Sequence, residues 1–196
     1  MNRATVALAA TAAMALSSCG PKAPTTNSTT IDSSVSSTDT TLTNGNDVVN
    51  TATPAASPAQ AFVNTAAASD AFEIATSKLA LDNATSASIK KFAQQMITAH
   101  EGSTAKLKTV TAGLSPALTP DPTLTSEQQA KLDDMKGKKG ADFDTAYAAA
   151  QQGGHQATLD ALKAYAASGD VPALKGFASG LVPTVTAHLN MAKALK

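Results

Sequence analysis

Phe92-Ala-Gln-Gln-Met-Ile-Thr-Ala-His100 is the stretch from which the fold can be read. Phe92, Met96 and His100 recur every four residues, so a helix presents them on one face. A histidine thus ends an apolar stripe where a third hydrophobe is expected. Ile89, Ala93, Leu107 and Val110 extend the stripe and predict a helix from about Ser86 to Ala112, with Gly113 as its stop.

The same period appears on both sides. Upstream, Ser57-Pro58-Ala59-Gln60 reads as a capping box with proline in the first turn, opening a helix that runs to about Asn83. Its stripe is Phe62, Ala66, Ser69, Glu73, Thr76 and Ala80. Downstream, a third long helix spans about Ala141–Ala167, with Asp144, Gln151, His155, Thr158 and Leu162 in line. Gly153-Gly154 in its interior signals close packing or a local bulge beside His155. A fourth helix starts near Asp170-Val-Pro172, with Asp170 as cap. It carries Leu174, Phe177, Leu181, Val185, His188 and Ala192, and Pro183 predicts a kink one turn before His188. Between the second and third helices, residues 114–140 form a connector. Three prolines interrupt it, and Thr125-Ser-Glu-Gln128 caps a short extra helix within it. Its length suits either crossing the domain or folding back beside it.

Four long amphipathic helices and no strand signal predict an all-α chain, an antiparallel four-helix bundle over residues 58–196. Scarce aromatics and abundant alanine favour closely packed helices. Fifteen basic and fifteen acidic side chains give zero formal charge, which leaves no electrostatic case for nucleic acid. There is no phosphate-cradling glycine loop, no Gly-x-Ser-x-Gly elbow and no Cys-x-x-Cys.

Residues 1–18 have the n-region and apolar run of a secretory signal. Leu16-Ser-Ser-Cys19 resembles the bacterial lipobox, so Cys19 is the expected lipidation site and the membrane a partner through that anchor. Gly20, rather than aspartate, follows the cysteine; by resemblance to Gram-negative sorting this implies the periplasmic side of the outer membrane. Residues 19–57 read as a tether: 16 of the 37 residues from Pro21 to Ser57 are Ser or Thr, too polar to offset ordering entropy.

Glu73, His100, His155 and His188 lie on the inner faces of four different helices. At 1.5 Å per residue they fall roughly 15–25 Å from the two helix turns, near mid-height of helices about 40 Å long. Two readings of the cluster stay open, beside a third in which the helices hold a small apolar ligand, for which a cavity of roughly 300 Å³ or more is needed. In one they form a polar network with Asp144, Tyr147 and Gln151 that fixes which helix faces pack together. In the other Glu73 and the histidines hold one transition-metal ion, for which iron, zinc or copper suits the donors. A di-iron centre is not expected, because the bridging glutamates of the Glu-x-x-His pattern are replaced by Ile97 and Val185.

Asp70-Ala-Phe-Glu-Ile74, Phe92-Ala-Gln-Gln-Met96 with His100, Phe143-Asp-x-x-Tyr147 with Gln151 and His155, and Pro183 with His188-Leu together resemble a bacterial exported family, domain of unknown function 4142. That resemblance implies a ferritin-like bundle and an envelope location. It also implies that Glu73, Met96, His100, Asp144, Tyr147, His155 and His188 are the family's recurring positions. It implies no activity. The expectation is a lipid-anchored, non-catalytic envelope protein that is structural or binds a partner. The alternative is a mononuclear metal-binding protein or metal-dependent oxidoreductase.

Overall fold

Serine 57 starts the first helix as its sequence predicts: its hydroxyl accepts from the Gln60 amide, and Pro58 occupies the first turn. The computed structural model describes residues 56–195. Cys19, the signal segment and nearly all of the tether lie outside the described residues. Among those described are five helices and no strand: α1 Pro58–Asn83, α2 Ala87–Ala112, α3 Ser126–Lys136, α4 Gly140–Ser168 and α5 Pro172–Lys193. None is long and apolar enough to cross a membrane.

Side-chain caps form at two of the five helix starts, α1 and α3, and at none of α2, α4 and α5. Thr125 and Gln128 complete the capping box of α3. At α1 only half of the expected box forms, because the Gln60 side chain is drawn instead to Asn64 and the Thr119 carbonyl. Asp170 does not cap α5. The cap is Val171, without a side-chain bond, while Asp170 accepts from the Tyr165 hydroxyl at 2.8 Å. Helix α5 continues through Pro183, and α4 continues through Gly153-Gly154 without a bulge.

Polar contacts fix the path of the chain. Leu118 donates to the Thr111 carbonyl, and Gln60 reaches Thr119, so the connector begins beside the start of α1. Its far end lies at the α1–α2 turn, where Lys139 meets Asn83 and Asp144 meets Thr85. The connector therefore crosses the length of the domain, with α3 packed on α1 and α4. Running up α1, the chain goes down α2, down α4 and up α5. Helix α1 packs on α2 and α4, and α5 packs on α4 and α2. Every neighbouring pair among the four long helices is antiparallel.

The core is built in two apolar clusters. One gathers Phe62, Val63, Leu107, Leu162, Leu174 and Val185, with Phe62 stacked on Tyr165 at 4.0 Å between ring centroids. The other gathers Phe72, Ile89, Phe92, Met96, Phe143 and Met135. Fully burying a side chain such as Ile89 or Leu174 contributes about 1.5–3 kcal/mol. Between the clusters each long helix turns a polar residue inward, and these residues form a buried layer: Asp70 and Glu73 from α1, His100 from α2, Gln151 and His155 from α4, and His188 from α5.

Candidate metal centre

The three histidines meet within that layer. Their ring centroids are 5.6, 5.9 and 5.5 Å apart, close to an equilateral triangle. One nitrogen of each ring lies within 4.8 Å of those of the other two. Hydrogen bonds fix the orientation of two rings. His100 Nδ1 lies 2.8 Å from Asp70 Oδ1, and Thr104 donates to the other Asp70 oxygen at 3.1 Å. His155 Nδ1 donates to the Gln151 carbonyl one turn earlier, also at 2.8 Å. With Nδ1 engaged, each of these rings has Nε2 left for the cluster. His100 Nε2, His155 Nε2 and His188 Nδ1 are buried and have no hydrogen-bond partner. A histidine held through one nitrogen by a carboxylate or carbonyl, with the other nitrogen free, has the arrangement of a metal-ligating imidazole.

Burial sets the protonation of this layer. It pushes His155 and His188 down to about 4, so both are neutral near pH 7 and carry lone pairs. Burial also disfavours a charged His100, but the Asp70 hydrogen bond and the charges of Glu73 and Asp70 outweigh it, and its pKa is raised. Burial raises Glu73 to about 7, with His100 and the Gln151 amide offsetting only part of the effect.

Glu73 stands beside the cluster rather than in it. Its Oε1 is 3.6 Å from His155 Nδ1, the nitrogen already committed to the Gln151 carbonyl. It is not among the groups whose ligand atoms converge. Both carboxylate oxygens are buried without a partner. Gly154 makes room for them: a Cβ there would sit 2.6 Å from Glu73 Oε1. The glycine pair thus serves close packing, and only its second member does so.

The other residues expected in a polar network are spread along the bundle. Gln151 adjoins the cluster, donating to Thr76 Oγ1 at 3.1 Å and leaving its own Oε1 without a partner. Tyr147 lies one turn away and pairs with Ser77 at 2.8 Å. Asp144 is at the end of the domain. Its oxygens accept from the Thr85 and Ser86 amides and the Thr85 hydroxyl, which ties the α1–α2 turn to α4. Asp70 was not anticipated from the sequence as a site residue. Its position one turn before Glu73, on nearly the same face of α1, was the available signal.

Fold and site together define a helical bundle with a buried three-histidine cluster. The chain belongs to the family whose model, described as a domain of unknown function (DUF4142), matches residues 46–195. No curated protein sequence matches it. Among solved structures, CopM in the Cu(II)-bound form has a similar fold, with a TM-score of 0.59, 16% sequence identity, and coverage of 69% of this chain and 93% of that one.

Proposed function

We propose that His100, His155 and His188 bind one transition-metal ion, with Cu(II) the best-matched candidate, and that the protein is a metal-binding component of the cell envelope. The observation that carries this reading is a buried cluster in which each of three rings places a nitrogen within 4.8 Å of the others and each ring has a buried nitrogen without a hydrogen-bond partner. A purely structural network would pair its members with one another. Here only the outward nitrogens of His100 and His155 are paired, and leaving a buried polar atom unmade costs about 1–3 kcal/mol each. Copper, zinc and iron hold imidazole nitrogens at about 2.0–2.1 Å, so the rings need a modest inward shift to share an ion. Three imidazoles suit copper in particular, the strongest binder of the divalent first-row series. The bundle likeness to a Cu(II)-bound structure agrees with that choice.

Binding, rather than turnover, fits the space available. The cavity that reaches His100 and His188 is about 40 Å³, enough for a water molecule and far below the roughly 300 Å³ of a small-molecule site. The single long crossover between α2 and α4 supports a ferritin-like reading of the bundle. Lipidation at Cys19 and tethering through residues 19–57 would hold the domain at the periplasmic face of the outer membrane.

Dialysis of untagged protein against Cu(II) should yield one ion per chain, and His188→Ala should lose it. Absence of stoichiometric copper, with His188→Ala changing only the melting temperature, would sink the metal reading in favour of a structural network. Asp70→Asn removes the charge that orients His100 and raises its basicity, and copper affinity should fall about 10–100-fold. Competition titration against a chelator measures it; an unchanged affinity would remove Asp70 from the site.

A further inference from the structure

Resting on the metal-binding reading, we propose that the ion enters and leaves the histidine cluster through the seam between α2 and α5, at a mouth framed by Ala99, Ser103 and Thr184. Four observations converge there. His188 and His100 retain 9% and 5% exposure, whereas His155 retains 1%, so the edge of the cluster nearest solvent belongs to α2 and α5. The cavity of about 40 Å³ is lined by His100, His188 and Asp70 together with Ala99 and Ser103 of α2 and Thr184 of α5. Of the four neighbouring pairs of long helices, α2 and α5 make the least contact. Pro183 adjoins Thr184 and has no N–H to give the Ser179 carbonyl, so α5 has one backbone bond fewer at the mouth.

The path is mostly apolar; its polar groups beside the two histidines are the Asp70 carboxylate, already held by His100 and Thr104, and the hydroxyls of Ser103, Thr158 and Thr184. Small side chains on α2 at this level leave the gap that a leucine or phenylalanine would close. The competing route is the larger groove of about 420 Å³ between α1 and α4. That groove is lined by none of the three histidines. Ala66, Thr158 and Leu162 line both spaces and form the partition between them.

Stopped-flow uptake of Cu(II) by metal-free, untagged protein, followed by release to a chelator, tests the route. Thr184 is exposed, so Thr184→Trp can cover the mouth without entering the core. It should slow uptake and release alike, by about tenfold or more, and leave the dissociation constant within about threefold of wild type. Ser103→Leu, on the opposite wall, should act in the same direction and serves if the tryptophan variant folds poorly. Ala157→Trp, in the α1–α4 groove, should leave both rates as in wild type. If Ala157→Trp slows exchange and the seam variants do not, the route lies through the groove and the proposal is overturned. If copper binds stoichiometrically and no variant changes its rates, the seam is overturned while the metal centre stands. If wild-type protein takes up no copper, the metal centre fails and the route fails with it.

Discussion

Asp144→Ala should lower stability by about 3 kcal/mol, equivalent to a fall of roughly 10 °C in melting temperature for a domain of this size. The expectation follows from its position at the α1–α2 turn, far from the histidines. One carboxylate accepts three hydrogen bonds at 2.7–3.1 Å, two of them from the backbone amides of Thr85 and Ser86. Those amides open α2, whose cap residue Ser86 makes no side-chain capping bond and turns its hydroxyl to Ser88 instead. Hydrogen bonds to a charged group contribute about 1.5–3 kcal/mol each, and solvent at the exposed Thr85 recovers part of the loss. Asp144→Asn keeps the acceptor and should lose about half as much. Thermal or urea unfolding measures both, and copper stoichiometry should be unchanged in each. A loss of copper with full stability would instead place Asp144 in the site.

Unfolding of the metal-free protein should show a stability maximum near pH 6.5, with a loss of roughly 2 kcal/mol by pH 4.5. In the unfolded chain the histidines take up protons near their ordinary value of 6.5. In the folded protein His155 and His188 stay neutral until about pH 4. Between these limits the unfolded state holds two more protons at those residues. Glu73 works in the opposite direction, because its folded carboxyl holds a proton up to about 7 and its unfolded one only below 4.5. The net excess of one proton in the unfolded state makes stability fall on acidification by about 1.4 kcal/mol per pH unit. Above pH 6.5 the sign reverses. Folded Glu73 and His100 hold protons that the unfolded chain has released, so stability declines as pH rises through their folded pKa values. Urea midpoints across pH 4.5–8.5, in chelator, give the curve. Glu73→Gln removes the opposing contribution and should nearly double the acid slope. A flat profile from pH 4.5 to 6.5 would contradict neutral, buried histidines.

Helix positions and faces were legible because the stripes carry a 3.6-residue period and strong start signals. Ser57-Pro58 and Thr125 mark starts that the structure reproduces. The common level of His100, His155 and His188 follows from helical rise alone, and the three rings meet there. Side-chain direction was not legible. Glu73 faces inward, yet its carboxylate turns toward Gly154 and the far nitrogen of His155. Asp144 shares a stripe with His155 but lies eleven residues away, so it reaches the turn at the domain's end. Asp170 carries the usual cap chemistry, but the Tyr165 hydroxyl engages it first. The connector's crossing depends on contacts such as Gln60 with Thr119, between residues 59 positions apart, and no local pattern encodes such a pairing.

The layer that divides the core has a consequence for alignment. Alanine-rich helices offer nearly equivalent surfaces at successive turns, so neighbouring helices could slide by a turn with little loss of apolar contact. Here a slide of one turn, about 5.4 Å, would part His100 from Asp70 and Gln151 from Thr76. Burying an unpaired polar or charged group in such surroundings costs several kcal/mol. The hydrogen bonds of this one stratum thus set the vertical position of α2 and of α4 against α1.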